Sequence, residues 1–222
     1  MFRTRVLVVP MQTTTDYVSV TEISGDEVSQ EQVQRIYNRY KWAAAFCQGK
    51  DVVEAACGTG QGLGYLKSVS KSLQAGDYSA PILEIARKHY GDRIELLQFD
   101  AQQLPFADQS KDVILLFEAI YYLPSADRFV AECRRVLRPG GKVLVVTANK
   151  DLFDFNPSPY THRYFGVVEL EALFENHGFT FECFGDTPVK SVSFRQRMLR
   201  PLKKWAVDWH LIPSSMKYKK MS

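Results

Sequence analysis

The sequence predicts a Rossmann-like α/β fold, in which a doubly wound and mostly parallel sheet carries helices on both faces. Short apolar runs alternate with amphipathic stretches of helical spacing between residues 51 and 148. The first apolar run ends in a group of closely spaced glycines, which is typical of a buried parallel strand that turns sharply into a helix. Strands and helices that alternate in this way form right-handed crossovers and therefore a parallel sheet.

The first predicted element is a helix over residues 28–47. Ser29 and Gln32 have the spacing of a capping box, in which two side chains satisfy free backbone groups where a helix begins. Apolar side chains then recur at helical spacing, and they are Val33, Ile36, Tyr37, Tyr40 and Ala44. The segment is therefore predicted to be an amphipathic helix that leads into the first strand.

The later elements follow from the same patterns. Ser79 and Ser125 are predicted to cap two helices, and Pro139 with Gly140 is expected to end the second of them. Another helix is predicted to end at Gly178. The strands predicted after the first one cover residues 73–77, 93–99, 112–117, 142–147 and 179–184.

Length and composition favour one well-buried domain. The chain has 222 residues, of which 45% are hydrophobic, and this is too short for two comfortable domains. The apolar runs at 113–117 and 143–146 are far shorter than a membrane span, and we expect no signal peptide. The cysteines are widely separated, which favours a reducing cytoplasm over a disulfide scaffold or a zinc site. They are Cys47, Cys57, Cys133 and Cys183.

The charge is concentrated in the last part of the chain. The net charge is +3, but residues 187–222 hold nine Lys or Arg against one acid, and residues 1–186 hold nineteen against twenty-four. Apolar side chains of this basic tail share one helical stripe, and they are Met198, Leu202, Trp205, Trp209 and Ile212. The pattern suits either an interfacial helix in peripheral contact with a membrane or a helix packed on the domain.

The glycine-rich turn after the first strand indicates a nucleotide-type ligand. Gly58 and Gly60 can adopt conformations forbidden to other residues and let a ligand approach the backbone at a helix N-terminus. A dinucleotide fingerprint needs a third glycine three positions later, where Leu63 stands. The spacing therefore weakens the hypothesis of a nicotinamide-dependent oxidoreductase, which stays an alternative.

With Glu54 before the glycines, the segment resembles the first motif of the class I S-adenosylmethionine-dependent methyltransferases. Further motifs of the small-molecule branch follow in the order typical of that family, over roughly residues 33–148. They are Asp77 with Ser79, Asp100 with Ala101, Leu104 to Phe106, Asp108, Asp112 with Val113, and 136–141. The resemblance implies S-adenosyl-L-methionine as cofactor, and a sheet closed by two strands in an antiparallel pairing, of which only 179–184 is clear. Ala56 stands where many relatives have glycine, and we expect this change to be tolerated.

The resemblance, together with the rule that ligands lie outside the carboxyl ends of parallel strands, predicts the cofactor site. Asp77 is expected to accept from the ribose hydroxyls and Asp100 from the adenine amino group. Glu54 is expected to orient the turn or to reach the cofactor's ammonium, and Arg39 to pair with its carboxylate or to form an exposed salt bridge. The predicted cofactor residues are Tyr40, Glu54, Ala56, Gly58, Gly60, Asp77, Tyr78, Asp100, Ala101 and Phe117.

Methyl transfer from a sulfonium needs orientation and the exclusion of water, and no metal is predicted. An oxygen nucleophile benefits from a base, for which His162 is the first choice because histidine is the side chain generally suited to proton transfer near neutral pH. Glu118 and Tyr121 are the other predicted catalytic residues, although Glu118 is alternatively a partner of the cofactor's ammonium. Further candidates for a base are Tyr122, Asp154 and Tyr160.

The sequence thus predicts one methyltransferase domain with a cofactor-covering helix at 28–47, a cofactor-binding core at 51–148, and an acceptor lid, a strand and a tail at 149–222. The predicted reaction is methylation of an oxygen or nitrogen of a small molecule, such as a sugar or polysaccharide precursor. C-methylation of a quinone or another prenylated precursor and noncatalytic cofactor binding stay alternatives. No nucleic acid partner is expected, because the RNA-methylation signature of Asn or Asp, two prolines and an aromatic residue is absent after the fourth strand.

Overall fold

The computed structural model describes residues 29–152 and 155–185, together with Tyr17 and Thr21. Five strands and five α-helices follow one another along this part of the chain. The strands are β1 (Asp51–Ala55), β2 (Ser72–Asp77), β3 (Glu95–Gln98), β4 (Lys111–Phe117) and β5 (Leu137–Val146). The helices are α1 (Gln30–Cys47), α2 (Leu63–Val69), α3 (Ala80–Tyr90), α4 (Ala126–Val136) and α5 (Val167–Glu175). Short 3₁₀ turns cover Gly91–Arg93 and Ile120–Tyr122.

The strands form one parallel sheet in the order β3-β2-β1-β4-β5. The chain builds outward from β1 to β3 and then returns to the other side of β1, so the strand order reverses between β1 and β4. Ligands bind outside the carboxyl ends of the strands at such a switch point. The sheet confirms the predicted Rossmann-like fold and fixes the edge at which a site should be found.

The two faces of the sheet are covered by different helices. Val53 and Ile114 point into a buried cluster that includes Phe129 of α4, whereas Val52 and Leu115 point into the opposite cluster with α1 to α3. Because successive side chains of a strand point to opposite faces, the buried parts of β1 and β4 are mostly apolar on both faces, and Glu54 is the buried exception. Within the residues that the structure describes, no helix has the length and apolar character needed to cross a bilayer.

The predicted strand at 179–184 does not form. These residues belong to no strand, and the described part of the sheet has no antiparallel edge. Phe179 instead packs edge-on against Phe174 with ring centroids 5.9 Å apart, so its apolar side chain is buried without strand pairing. The predicted basic tail at 187–222 lies outside the described residues.

Two of the three predicted serine caps are confirmed, and one works differently. Ser29 accepts from the amide of Gln32, which completes the capping box, and Ser125 accepts from the amide of Arg128. Ser79 makes no side-chain cap, and its backbone amide donates to the Asp77 carboxylate at 2.9 Å.

The end of α4 also differs from the prediction. The helix ends at Val136, before Pro139, and the chain enters β5 directly. Gly140 has a φ of +79° within a register shift opposite Lys111 and Val113. Pro139 and Gly140 therefore mark an irregularity inside the strand, and the helix has already ended.

Gly62 allows α1 to approach the glycine-rich turn. A Cβ at this position would lie 2.2 Å from three carbons of the Tyr40 ring. That ring is buried and meets Phe117 of β4 edge-on, with centroids 5.4 Å apart. The missing side chain thus makes room for an aromatic residue that joins α1 to the carboxyl end of the sheet.

We predict that Gly62→Ala lowers the free energy of unfolding by about 1–3 kcal/mol, the usual cost of overpacking a filled core. Gly64→Ala is the matched control, because its Cβ would lie 3.6 Å from the nearest atom, the Tyr90 hydroxyl oxygen. Inside α2, alanine at 64 should stabilise by up to about 1 kcal/mol. Urea denaturation followed by circular dichroism measures both, and equal effects of the two substitutions would contradict the contact.

Candidate functional site

A cleft of about 2250 Å³ opens at the carboxyl ends of the strands. This volume exceeds the roughly 300–1,000 Å³ of a site for one small ligand, so the cleft has room for two reactants. Nine of the ten predicted cofactor residues and all three predicted catalytic residues line it, and Gly60 is the exception. The nine are Tyr40, Glu54, Ala56, Gly58, Asp77, Tyr78, Asp100, Ala101 and Phe117.

The glycine-rich turn follows β1 with three alternate residues in the left-handed region. The φ angles are +56° at Ala56, +58° at Gly58 and +83° at Gly60. The two glycines adopt this conformation without a steric penalty, whereas an L-residue with a Cβ is disfavoured there by roughly 1–2 kcal/mol. Alanine is accommodated at 56, but at a conformational cost that its small size alone did not indicate.

Gly60 faces away from the cleft, toward Tyr90 at the end of α3. The Tyr90 hydroxyl donates to the carbonyl oxygen of Gly60 at 2.6 Å and accepts from the amide of Gly64 at 3.1 Å. A Cβ at Gly60 would lie 2.7 Å from the Tyr90 ring. The Tyr90 hydroxyl thus holds both sides of the turn together.

Asp77 ends β2 and joins the turn to the start of α3. One carboxylate oxygen accepts from the amide of Gly58 at 3.0 Å, and the other accepts from the amide of Ser79 at 2.9 Å. Burial raises the pKa of Asp77, and these backbone hydrogen bonds oppose the rise. The carboxylate is thus held in one orientation at the cleft, and each oxygen keeps a lone pair for a ligand hydroxyl.

Asp100 follows β3 on the same edge of the sheet. Its carboxylate accepts from the backbone amide of Gln102 at 2.8 Å and from the Gln102 side chain at 3.1 and 3.2 Å. The same Gln102 side chain accepts from the amide of Ser125 at 2.8 Å, which ties this loop to α4. Tyr78 is partly exposed and Ala101 is buried, and both line the cleft beside the two acids. Gln102 was not predicted, because it has no role until the two loops meet.

Glu54 is the most buried acid of the site, with 1% of its surface exposed. One carboxylate oxygen accepts from the Tyr40 hydroxyl at 2.7 Å, and the other has no hydrogen-bond partner among the described residues. Burial raises the pKa of Glu54 to about 7, while the Tyr40 hydrogen bond and the charge of Arg39 oppose the rise. A buried oxygen without a partner at the wall of a cleft fits a cationic donor from a ligand.

Glu118 directly follows β4 and lies in the left-handed region, with a φ of +50°, and its amide donates to the Val146 carbonyl at 2.7 Å. One carboxylate oxygen accepts from the Tyr121 hydroxyl at 3.1 Å. The other lies 3.6 Å from the Arg39 guanidinium, so it forms an ion pair too long for a hydrogen bond. Burial raises the pKa of Tyr121, so this phenol stays protonated and donates to the carboxylate.

An aromatic wall adjoins Glu118 in the cleft. The Tyr121 and Tyr164 rings stack at 4.5 Å, and the amide of His162 donates to the Tyr121 carbonyl at 2.8 Å. Ser158 contacts the wall in two ways. Its hydroxyl shares a hydrogen bond of 2.9 Å with the Tyr122 hydroxyl, and its amide donates to the Tyr164 hydroxyl at 2.9 Å. These contacts fix the predicted acceptor segment against the 3₁₀ turn that follows β4.

The candidate bases differ in their exposure and in whether they line the cleft. The His162 side chain is exposed at the cleft, whereas Tyr160 is exposed and does not line it. Tyr122 packs edge-on against Tyr17 at 5.3 Å, and its phenol is engaged with Ser158. Asp154 lies outside the described residues.

Comparison with known proteins identifies methyltransferases among the proteins similar to this chain. The family described as a methyltransferase domain matches residues 53–145. A relative from Mycolicibacterium smegmatis, named as a probable S-adenosylmethionine-dependent methyltransferase, is 36% identical over 64% of this chain and 57% of its own length. A fatty-acid O-methyltransferase of that organism is 34% identical over 55% of this chain and 45% of its own length. The chain therefore spans about half the length of these relatives.

A solved structure shows the same fold. The S-adenosylmethionine-dependent methyltransferase from Mesorhizobium loti superimposes with a TM-score of 0.58, covering 78% of this chain and 93% of its own. The two sequences are 18% identical, so the likeness concerns the fold alone.

We predict that Ala56→Gly raises the free energy of unfolding by about 0.5–1 kcal/mol. Glycine removes the cost of the left-handed conformation, which exceeds the entropy that glycine adds to the unfolded chain. Ala55→Gly is the control, because Ala55 lies inside β1, where glycine destabilises by about 0.5–1 kcal/mol or more. Thermal unfolding of both variants measures the difference, and a loss of stability in Ala56→Gly would contradict the assignment.

We predict that Glu54 makes the ligand-free protein less stable as pH rises from about 5 to 7. The folded protein keeps the Glu54 proton up to its pKa of about 7, whereas the unfolded chain loses it near the ordinary value of 4.5. The folded state therefore binds more protons in this window, and the free energy of unfolding falls by up to about 1.4 kcal/mol per pH unit before levelling off.

Glu54→Gln should abolish this component of the decline, as measured by urea denaturation at pH 5, 6, 7 and 8. Glu132→Gln is the control and should keep the decline, because Arg135 holds the pKa of Glu132 below its ordinary value. Parallel curves for the wild type and Glu54→Gln would show that Glu54 is not protonated in this window.

Proposed function

Residues 53–145 belong to the class I S-adenosylmethionine-dependent methyltransferase family, and on that premise we propose that the protein methylates an oxygen of a small, largely apolar molecule. The observation that carries the proposal is the partnerless oxygen of Glu54 at the wall of a cleft formed by the glycine-rich turn. Such an arrangement suits a ligand with an ammonium group at one end. S-adenosylmethionine has this group at its amino-acid end and supplies a methyl group already activated by its sulfonium.

The residues around the cleft fit each part of that cofactor. Glu54 is the partner of the ammonium, and Asp77, oriented by two backbone amides, is the acceptor for ribose hydroxyls. Asp100 accepts from the adenine amino group, and Tyr78 and Ala101 supply apolar surface on either side of it. These assignments use side chains from the ends of β1, β2 and β3.

The acceptor side favours an apolar molecule. Beyond the aromatic wall, the cleft is lined by Val143 and Val145 of β5 and by apolar residues of the lid and α5. The latter are Phe165, Leu170 and Phe174. The fatty-acid O-methyltransferase among the relatives acts, by its name, on a fatty acid, and an apolar acceptor of that kind agrees with this lining. The sugar acceptor considered from the sequence has no such support.

The same lining also suits a prenyl chain, so C-methylation of a quinone or another prenylated precursor stays the second candidate. The comparisons do not support the hypothesis of a nicotinamide-dependent oxidoreductase, because the matching family and the similar proteins are methyltransferases. A noncatalytic cofactor-binding module would share every feature of the cofactor side. An assay of methyl transfer to an acceptor distinguishes such a module from an enzyme.

Glu118 is the best-placed base for a hydroxyl acceptor. It directly follows β4 and lines the cleft, and the Tyr121 phenol orients its carboxylate through a hydrogen bond of 3.1 Å. As the new O–C bond forms, the hydroxyl proton passes to this carboxylate. The His162 ring is more exposed and is held only through its backbone, so it stays the alternative.

We predict that Glu118→Gln lowers kcat for a hydroxyl acceptor by about 10²-fold or more, the usual contribution of a general base. His162→Gln would show that loss instead if His162 were the base. Glu84→Gln, on the exposed face of α3, is the control and should keep wild-type rates. The assay follows labelled methyl transfer to fatty acids, fatty alcohols and prenylated phenols.

Calorimetry with S-adenosylhomocysteine tests the cofactor side separately. Binding without transfer to any acceptor would indicate a noncatalytic module. No binding of S-adenosylhomocysteine to the wild type at millimolar concentrations would overturn the proposal.

A further inference from the structure

Arg39 is a buried cation with few partners. Only 16% of its side chain is exposed, and it lines the cleft from α1. Among the described residues it makes one ion pair, at 3.6 Å to Glu118, and lies 5.9 Å from the centroid of the Phe117 ring. A guanidinium has five N–H donors in a planar fork that matches a carboxylate. Most of that capacity is unused by the residues that the structure describes.

The position of Arg39 brings opposite charges together. Its neighbour Tyr40 reaches Glu54 at 2.7 Å, and the charge of Arg39 acts to lower the pKa of Glu54. The wall of the cleft therefore presents an unpaired carboxylate oxygen and an under-used guanidinium side by side. An α-amino acid carries the two complementary charges on one carbon.

We propose that Arg39 is shared between Glu118 and the carboxylate of the cofactor, so that cofactor binding draws Arg39 away from Glu118 and leaves this carboxylate free to act on the acceptor. The inference rests on the proposed function, because it assumes a cofactor with an amino-acid end. Arg39 is a positioning residue with respect to the acceptor: it affects the reaction through Glu118.

The geometry favours exchange over a permanent pair. A separation of 3.6 Å is longer than the 2.7–2.9 Å typical of a charge-assisted hydrogen bond, and Glu118 is 36% exposed, so solvent weakens the attraction. An incoming carboxylate can form two parallel hydrogen bonds with the same guanidinium. Glu118 keeps its hydrogen bond from Tyr121 throughout, which holds the carboxylate in place when Arg39 turns away.

The proposal has an unusual consequence for Glu118. If Glu118 competes with the cofactor for Arg39, its removal should tighten cofactor binding. A residue that itself held the ammonium would have the opposite effect. The sign of the change in Glu118→Gln therefore separates the two roles considered for this residue.

The test is calorimetric titration of the full-length chain with S-adenosylhomocysteine, which lacks the sulfonium charge. Glu118→Gln should bind about two- to fivefold more tightly than the wild type, as expected for release of a partly exposed ion pair. Arg39→Gln should bind at least about tenfold more weakly, and Arg39→Lys should recover part of the loss. Arg134→Gln is the control and should bind normally, because Arg134 is exposed on α4 and does not line the cleft.

The double variant Arg39→Gln/Glu118→Gln decides whether the effects are coupled. The proposal expects Glu118→Gln to give no tightening when Arg39 is absent. Weaker binding by Glu118→Gln, or the same tightening with and without Arg39, would overturn it. Normal circular dichroism and urea denaturation of each variant exclude a loss of fold as the cause. If the wild type fails to bind S-adenosylhomocysteine, the proposed function fails first, and this outcome differs from normal binding with uncoupled variants.

Discussion

The buried carboxylate of Glu54 is the constraint on which the site depends. An ionised carboxyl without full pairing is costly in an apolar interior, and the protein compensates only one of the two oxygens, through Tyr40. That single hydrogen bond requires α1 to approach the end of β1 closely, which in turn requires the absence of a side chain at Gly62. The cover of the cleft, the glycine-rich turn and the charge of the site are thus parts of one arrangement.

The other acids of the site are held by backbone groups and neighbouring side chains. Asp77 bonds two amides, from the loops after β1 and β2, and Asp100 is held by Gln102. Their orientation is therefore set before any ligand arrives, which reduces the entropy lost on binding. Glu54 differs because one of its oxygens has no partner among the described residues and its pKa is raised. A cationic group of a ligand would pair with that oxygen and lower the pKa. The site combines rigid recognition of the sugar and base with a charge that needs an ammonium partner.

Much of the fold could be predicted from the sequence because its helices and strands have recognisable local sequence patterns. Short apolar segments between turn and helix signals predicted all five strands, and the capping box located the start of α1. The strand expected at 179–184 does not form. The alternation of apolar and polar residues there indicates which side chains are buried, but a strand also needs a neighbouring strand to pair with. Phe179 meets its burial requirement against Phe174 instead.

The cofactor residues were predictable because parallel strands end at one edge of the sheet, and nine of the ten do line one cleft. Their partners were not predictable, since the Tyr90 contact with Gly60 and the Gln102 contact with Ser125 join residues distant in sequence. Alanine also gives no local indication of a positive φ, so the strain at Ala56 was visible only in the structure. Such long-range contacts determine which side chains face the ligand and which hold the turn.

The most direct test of this account is the number of protons released when S-adenosylhomocysteine binds. It is measured by calorimetry at pH 7 in two buffers that differ in ionisation enthalpy. With a pKa of about 7, Glu54 is partly protonated in the free protein, and pairing with the ligand's ammonium should release about half a proton per molecule bound. Binding with no proton release in the wild type, or with the same release in Glu54→Gln, would contradict the central role given to this carboxylate.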